Sequence, residues 1–318
     1  MPSSPCRLTC RADYDSSDFV DRKDFLMGKG RFIDLHCHSI ISDGTLSPQE
    51  IAQLAEAKGL SGFALTDHDN TAGVLEAQAE AQKLGLDFLQ GMELTTMYRG
   101  HKLHIICLGF DVRSDSFKRA YETIRKIKEG RMYDLVDCIR KRGADITMDM
   151  VKGFANGRPI DRYAIMKCLA SLDIEPHVRD LWSKYIDPSV EELGMDISID
   201  AEKAISMMHE AGAVTSLAHY HKRIGLAGMT REEQEMAIAE LRSYGLEGME
   251  MYYPTYTAED AAYAREWIVH YGLIATGGSD FHGANRPGTE LGTGIDDNLH
   301  IPYEIMLSVK DALPKHKM

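Results

Sequence analysis

The stretch Ile33-Asp34-Leu35-His36-Cys37-His38 contains two histidines, separated by one residue, in an apolar segment. Its apolar and β-branched residues predict a short strand, in which successive side chains point to opposite faces. Asp34, His36 and His38 would then share one face. Two imidazoles on one face are suited to holding a cation, and we expect the Asp34 carboxylate behind them to orient an imidazole. Because such a pair is common by chance, its interpretation depends on the rest of the chain.

The composition is that of a globular protein. The chain has 318 residues, of which 44% are hydrophobic, and a formal net charge of −13. This size fits one large domain or a barrel with an insertion. The acidic balance argues against non-specific binding to a nucleic-acid backbone, but a small anionic substrate held through metal is compatible with it. The cysteines lack zinc-finger or disulfide spacing and no apolar run approaches about twenty residues, so we expect a reduced, cytoplasmic protein without membrane contact.

Strand and helix patterns alternate along most of the chain. Residues 1–31 lack periodicity and are predicted to be a flexible tail. The alternation occupies residues 32–110 and 201–318, with seven strands, the third of them short and ending at Gln90. It predicts a parallel sheet, closed as a barrel or open. Residues 111–200 interrupt it with helical patterns, including separate helices over Phe117 to Glu129 and Tyr133 to Lys141, and are predicted to be a helical insertion.

Metal-ligand residue types recur where the predicted strands end. Eight of them follow or end a strand, and His104 lies on the fourth strand. The carboxyl ends of parallel strands meet at one face, so these side chains should converge. Unpaired, so many polar groups would be costly to bury, whereas ligation of more than one divalent cation explains them. The nine predicted ligands are His36, His38, Asp43, His68, Glu93, His104, His219, Asp280 and His282.

The order of these motifs resembles that of the PHP (polymerase and histidinol phosphatase) family, which belongs with the amidohydrolases. The resemblance spans Phe32 to Thr293. It is carried by His36-x-His38, Thr66-Asp67-His68-Asp69, Glu93, Ala218-His219 and Ser279-Asp280-Phe281-His282-Gly283. It implies an α/β fold, a distorted (β/α)7 barrel, with a trinuclear metal centre.

The resemblance also implies which residues hold each metal. One metal would be held by His36, His38, Glu93 and Asp280. Glu93 would bridge to a second metal, held by His104 and His219. The third would be held by Asp43, His68 and His282. The chain departs from the family at Ala218-His219-Tyr220, where related members have Ala-His-Pro, so the ligand is kept but the following loop is expected to differ.

The predicted ligand set indicates phosphoryl chemistry. Mixed imidazole and carboxylate ligands suit manganese, zinc or iron. Up to three divalent cations beside three carboxylates leave a net charge of about +3, which favours a phosphate monoester dianion. Metal binding lowers the pKa of water to about 7, so we expect metal-activated hydroxide to attack phosphorus and all nine ligands to be catalytic.

Substrate contacts are expected outside the ligand set. Arg158 lies in a Gly157-Arg158-Pro159 turn of the insertion, and a guanidinium there is suited to binding a phosphate in a bidentate manner. Arg131 follows Gly130 at a predicted helix junction. Lys222 and Arg223 closely follow His219 and are candidates for the mouth of the site.

Several functions are compatible with these residues. The insertion resembles that of stand-alone bacterial members similar to nucleoside 3′,5′-bisphosphate phosphatases and 5′-nucleotidases, which implies hydrolysis of a nucleoside 5′-monophosphate or 3′,5′-bisphosphate. The alternatives are a 5′-to-3′ exonuclease on short RNA or DNA and a histidinol-phosphate phosphatase. A non-catalytic metal-binding module is the alternative of a different class. No long nucleic acid is expected as partner, and the oligomeric state is left open.

Overall fold

The computed structural model describes residues 31–155, 160–193 and 199–314, except for the side chain of Tyr163. The predicted N-terminal tail therefore lies outside the described residues, apart from Arg31. Within the described ranges, no helix combines the length and apolar character needed to cross a membrane.

The described residues form strands and helices in alternation. The strands are β1 (Phe32–Asp34), β2 (Gly62–Leu65), β3 (Asp87–Tyr98), β4 (His101–Leu108), β5 (Ile199–Asp200), β6 (Val214–Leu217), β7 (Gly248–Tyr252), β8 (Ile274–Gly277), β9 (Thr289–Glu290), β10 (Gly294–Ile295) and β11 (Ile301–Pro302). The α-helices are α1 (Pro48–Ala57), α2 (Val74–Leu84), α3 (Asp115–Lys141), α4 (Met148–Ala155), α5 (Arg162–Ala170), α6 (Val178–Leu181), α7 (Asp187–Glu192), α8 (Ala201–Glu210), α9 (Arg231–Ser243), α10 (Ala258–Tyr271) and α11 (Tyr303–Ala312). A π-helical turn (Trp182–Ile186) separates α6 from α7.

The main sheet is a nearly closed barrel. Its strand order is β11-β1-β2-β3-β4-β6-β7-β8, with β5 paired to β3. Hydrogen bonds between the residues that follow β1 and the end of β8 bring the two sides of the sheet together. The Leu35 N–H donates to the Gly277 carbonyl at 3.1 Å, and the Asp280 N–H donates to the His36 carbonyl at 2.8 Å. The predicted distorted α/β barrel is thus confirmed. The residues that follow β1 and β8 are held side by side at one end of it.

The prediction of a parallel sheet is wrong at two strands, β11, which runs antiparallel to β1, and β4. β4 runs antiparallel to both of its neighbours, β3 and β6. β3 is twelve residues long, not a short strand ending at Gln90, and a two-residue turn joins it to β4. Arg99 and Gly100 in that turn have φ values of 46° and 84°, as in the turns that match the twist of antiparallel hairpins. This reversal brings His104, opposite Thr95, to the barrel end where the parallel strands finish.

Local helix signals agree well with the structure, with one exception. Helix α1 begins with a capping box in which Ser47 accepts from the Glu50 N–H and Glu50 accepts from the Ser47 N–H. The predicted pair of helices around Gly130 is instead one continuous helix, α3, of 27 residues. A glycine in a helix interior costs about 1 kcal/mol, which the packing of a long helix outweighs. Arg131 therefore lies within a helix and not at a junction.

The hydrophobic core is divided between the barrel and the insertion. The first half of α3 packs on the barrel through Phe117, Ala120 and Ile124. Its second half contributes Met132, Leu135, Val136 and Ile139 to a separate cluster within the insertion. Helix α3 thus belongs to both cores. The last two residues of the predicted insertion form β5. The four described cysteines, at positions 37, 107, 138 and 168, are buried free thiols, as expected.

Candidate metal centre

Glu93, near the middle of β3, lies at the centre of a cluster of imidazoles. Its side chain is only 1% exposed. Five imidazole nitrogens lie between 2.7 and 3.2 Å from its two carboxylate oxygens, those of His36, His38, His68, His104 and His219. The antiparallel β4 supplies His104, and the others follow β1, β2 and β6. Glu93 is thus placed to share its oxygens between two or more neighbouring cations.

The structure brings all nine predicted ligands together. Ligand atoms within 4.8 Å of one another form three sets. The first comprises His36, His38, Glu93 and Asp280, the second His38, Asp43, His68 and His282, and the third His68, Glu93 and His104. His219 adjoins the third set, with its Nε2 atom 3.3 Å from His104 Nδ1. The first set has the same members as one implied by the family resemblance, the second has His38 in addition, and the third has His68 where the resemblance implies His219.

The donor atoms have the arrangement of a ligand cage. His36 Nε2, His38 Nε2, His68 Nδ1 and Glu93 Oε2 are buried and make no hydrogen bond to any described residue. Buried polar atoms normally have hydrogen-bond partners. Here each imidazole nitrogen lies 3.1 to 3.2 Å from Glu93 Oε2 without hydrogen-bond geometry. Atoms that crowd together without bonding to one another fit coordination of manganese, zinc or iron.

Charges in the cluster shift the pKa values of its members. Burial alone would raise the pKa of Glu93, but His104, His68 and His36 hold that pKa well below its usual range. Burial would lower the pKa of His38, yet the adjacent carboxylates of Asp280 and Glu93 raise it to about 9. Burial lowers the pKa of His68 to about 4, because Glu93 only partly offsets it. Without cations, protons on some imidazoles therefore balance the carboxylates.

The carboxylate that orients an imidazole is Glu250, on β7. Its Oε1 atom lies 2.7 Å from His36 Nδ1, and its Oε2 atom accepts from the His219 N–H at 2.6 Å. The prediction that Asp34 performs this role is wrong. Asp34 instead accepts from backbone N–H groups of His36 and Ser279, at 3.1 and 3.0 Å. Sequence analysis missed Glu250, although an acidic residue inside the apolar strand Gly-Met-Glu-Met-Tyr is an informative signal.

Two of the predicted ligand residues have strained backbones. His219 has a φ of 24° and Asp280 a φ of 55°, values that residues other than glycine rarely adopt. Such conformations persist where the surroundings enforce them and cluster at functional sites. The residue after His219, where related members have proline, is Tyr220. Its ring is buried and contacts Trp267 at a centroid distance of 5.1 Å, and its hydroxyl donates to the Asp260 carbonyl at 2.9 Å.

The carboxylate of Asp280 is shared between the cluster and three donors outside it. Oδ1 lies 3.3 Å from His38 Nε2. Oδ2 accepts from the Tyr253 hydroxyl at 2.5 Å and lies 3.5 Å from Lys222 Nζ. The Arg286 guanidinium also contacts Oδ2. Lys222 is a predicted site residue, whereas Tyr253 and Arg286 were not assigned to the site from sequence.

A cavity of about 810 Å³ adjoins the cluster. His68 and Asp43 lie on its wall, which continues along the insertion past Phe154 and Trp182. The cationic residues on the wall are Lys102, Arg125, Lys128, Arg162 and Lys167. Arg125 is paired with Glu129 at 2.8 Å, and Lys128 is paired with Asp69. The cavity thus combines metal-ligand residues, cations and aromatic rings.

The other predicted substrate residues have different positions. Arg158 lies outside the described residues. Arg131 has its guanidinium 4.0 Å from Asp134, in the next turn of α3, and is not among the described residues on the cavity wall. Arg223 is exposed in the loop after β6.

Comparison with known proteins identifies relatives of this chain. A family model described as PHP domain matches residues 34–164. The 3′,5′-nucleoside bisphosphate phosphatase of Chromobacterium violaceum is 30% identical over 268 residues, which are 82% of this chain and 90% of that protein. A 5′-3′ exoribonuclease of Haemophilus influenzae is 29% identical over 249 residues, covering 78% of this chain and 89% of that protein.

A solved structure extends the comparison to the fold. An amidohydrolase from Chromobacterium violaceum has a TM-score of 0.61 at 27% identity, with 87% of this chain and 96% of that chain covered. The family model spans six of the nine clustered residues, from His36 to His104. From its sequence, fold and site, this chain belongs to the PHP family and is a metal-dependent phosphoesterase, a hydrolase that acts on phosphoric esters.

Proposed function

We propose that this phosphoesterase hydrolyses a phosphate monoester of a small nucleotide, either a nucleoside 5′-monophosphate or a 3′,5′-bisphosphate. The observation that supports this proposal is the cavity of about 810 Å³ beside the metal-ligand cluster. Its volume lies within the range of pockets that enclose a small molecule. The wall offers aromatic rings for a base and cations for phosphate.

In this proposal the nine clustered residues hold up to three manganese, zinc or iron ions. Such ions activate water and stabilise charge on the phosphoryl oxygens. Glu93 would be a ligand of neighbouring ions, and Glu250 fixes the orientation of His36 through the 2.7 Å contact to Nδ1. The low pKa of His68, about 4, keeps its imidazole neutral and available as a ligand.

Residues 111–200 are proposed to act as a lid that selects the substrate. Trp182 and Phe154, from this segment, line the cavity and are suited to stacking on a base. Arg162, half-buried at the start of α5, and Lys167, one turn later, are suited to binding a phosphate on the lid side. Arg158 remains a predicted contact from the same segment.

A second candidate is hydrolysis of short RNA or DNA from the 5′ end. The similarity to the Haemophilus influenzae exoribonuclease favours it. A long strand requires a continuous basic track, and the net charge of −13 argues against one. We therefore rank the nucleotide first and restrict the second candidate to short oligonucleotides.

A phosphate-release screen with manganese supplied tests these proposals. The panel should contain nucleoside 5′-monophosphates, 3′,5′-bisphosphates, sugar phosphates, histidinol phosphate and short 5′-phosphorylated oligonucleotides. We expect the highest kcat/KM for one of the two nucleotide classes. A higher value for histidinol phosphate or for shortening of the oligonucleotides would replace the proposed substrate.

A further inference from the structure

The two oxygens of the Asp280 carboxylate face different surroundings. Oδ1 is directed at the ligand cluster, 3.3 Å from His38 Nε2 and 3.5 Å from His36 Nε2. Oδ2 is directed away from those atoms and is contacted by Tyr253, Lys222 and Arg286. Oδ1 is therefore available to a cation in the cluster, and Oδ2 accepts from donors that lie beside the cluster.

These donors carry more positive charge than Asp280 can balance. Lys222 and Arg286 bring two positive charges to a carboxylate that has one negative charge and already faces the cations with Oδ1. Glu250, which acts electrostatically on Lys222, is engaged with His36 and with the His219 N–H, and Glu93, which acts on Arg286, is engaged with the imidazoles. Once cations are bound, the lysine and arginine remain close to the centre with uncompensated charge. An anion between them and the cations would be stabilised by both.

Both side chains also have the exposure that a binding role requires. The side chains of Lys222 and Arg286 are 32% and 37% exposed. Arg286 contacts Asp280 through one nitrogen, Nη1, which also donates to the Asp280 carbonyl at 2.8 Å. Among the described residues, its hydrogen bonds and ion pairs all run through Nη1. The other donors of the guanidinium fork are then available to an anion.

We propose that Arg286 and Lys222 form an oxyanion-binding pair beside the metal centre, which binds a non-bridging oxygen of the substrate phosphoryl group. This proposal rests on the proposed phosphomonoesterase function. It adds to that function the two side chains that position the phosphoryl group. Asp280 holds the pair in place through Oδ2 while it presents Oδ1 to the cations.

Inorganic phosphate is the probe that isolates this pair. Its binding to the manganese-loaded full chain can be measured by calorimetry, with metal content determined on the same samples. Arg286→Gln and Lys222→Met remove one charge each with little change of volume. We expect each to raise the phosphate Kd about tenfold or more, as loss of a charge-assisted contact does. Arg119→Gln, an exposed arginine on α3, is the matched control and should leave the Kd unchanged.

Tyr253→Phe separates phosphate binding from the positioning of Asp280. The tyrosine hydroxyl donates to the same Oδ2 atom and accepts from Lys222 Nζ, but it carries no charge. We expect its removal to change the phosphate Kd by less than about threefold. If Tyr253→Phe weakened phosphate binding as much as Arg286→Gln, loss of a neutral positioning contact to Asp280 and Lys222 would account for the effect without any loss of charge, and the proposal would be wrong.

Two further outcomes would overturn the proposal. One is an unchanged phosphate Kd in both charge-removing variants. The other is a loss of metal that excess manganese fails to restore, which would make the pair part of the metal site. The proposed function fails separately, because phosphate binding does not depend on which ester is hydrolysed. Weaker phosphate binding in the variants, combined with no nucleotide turnover in the screen, would leave the pair in place and reject the nucleotide.

Discussion

Glu93 is one of 49 acidic residues in the chain, and its immediate neighbours do not distinguish it. It was predicted to be a metal ligand because it follows the predicted third strand, as histidines follow other predicted strands. The structure adds what position alone does not give, namely five imidazole nitrogens within 3.2 Å of its oxygens. Removing its charge should therefore affect every neighbouring ion site.

Glu93→Gln keeps the size of the side chain but removes the charge shared by the cations. We expect kcat to fall by about a hundredfold or more, as when a transition-state stabiliser is lost, and the metal content to fall below that of the wild type. Phosphate release and metal analysis on the same sample measure both. Glu76→Gln, on the exposed face of α2, is the control. Turnover near the wild-type value would exclude Glu93 as a ligand.

Glu250→Gln tests the orienting carboxylate that sequence analysis missed. It replaces the charged acceptor of His36 Nδ1 by a neutral amide, and such charged partners contribute about 10- to 100-fold to metal affinity. We expect a loss of that size in a chelator competition, with activity recovering at high manganese. Asp34→Asn is the comparison, because Asp34 accepts from backbone groups and from the Ser279 hydroxyl at 2.5 Å. It should lower thermal stability more than metal affinity, and the reverse order would contradict these assignments.

Metal affinity should increase with pH. The pKa of His38 is raised to about 9 in the cation-free site, so below that pH a cation must displace a proton from the imidazole. We expect the affinity to rise up to about tenfold per pH unit between pH 7 and 9 for each displaced proton. His68 should not contribute to this pH dependence, because its pKa of about 4 leaves it without a proton to displace between pH 7 and 9. Competition with a chelator corrected for its own protonation measures the slope, and a flat profile would contradict the prediction.

At the scale of the elements, helix caps and most helix ends could be predicted from the sequence, whereas the direction of a strand in the sheet could not. The cap at Ser47 and the ends of most helices follow from side chains a few residues apart. The course of β4 depends on its partners, β3 and β6, which residue patterns do not specify. The continuity of α3 through Gly130 depends in the same way on tertiary packing on both sides of that glycine. The convergence of the nine predicted ligands could nevertheless be predicted, because the residue types at the strand ends depend little on strand direction.

Arg162 of α5 tests the role of the lid in selecting the substrate. Arg162→Ala should lower kcat/KM for the preferred nucleotide about tenfold or more, through loss of a charge-assisted contact. The effect on p-nitrophenyl phosphate should be smaller, because that ester does not extend along the cavity. Arg179→Ala, on the exposed surface of α6, is the control. Equal losses on both esters would assign Arg162 to the general phosphoryl site.

At the scale of the whole molecule, α3 joins two hydrophobic cores that have few other shared elements. Phe117 belongs to the barrel core and Leu135 to the insertion core. The boundaries predicted from sequence, residues 111 and 200, enclose the insertion core. A fold built in this way should allow the insertion to loosen while the barrel, which carries the nine ligands, stays folded.

Leu135→Ala tests this independence. Leu135 is fully buried, and truncating a buried leucine costs about 2–5 kcal/mol. We expect hydrogen exchange to accelerate in residues 132–155 and 160–193, with protection of the barrel strands and metal content unchanged. Leu241→Ala, equally buried in the barrel core, should instead accelerate exchange in the barrel. Uniform acceleration in both variants would show one cooperative unit.

The antiparallel course of β4 also determines which parts of the metal centre are adjustable. Most ligands follow strand ends, in loops whose length and conformation can change without disturbing the sheet. His104 and Glu93 lie instead within a hydrogen-bonded hairpin, opposite Thr95 and Ile106. A slip of one residue there would turn the imidazole to the other face of the sheet. The hairpin is therefore a fixed template, and attempts to change the metal preference by directed evolution should accumulate substitutions in the loops around Asp43 and His282.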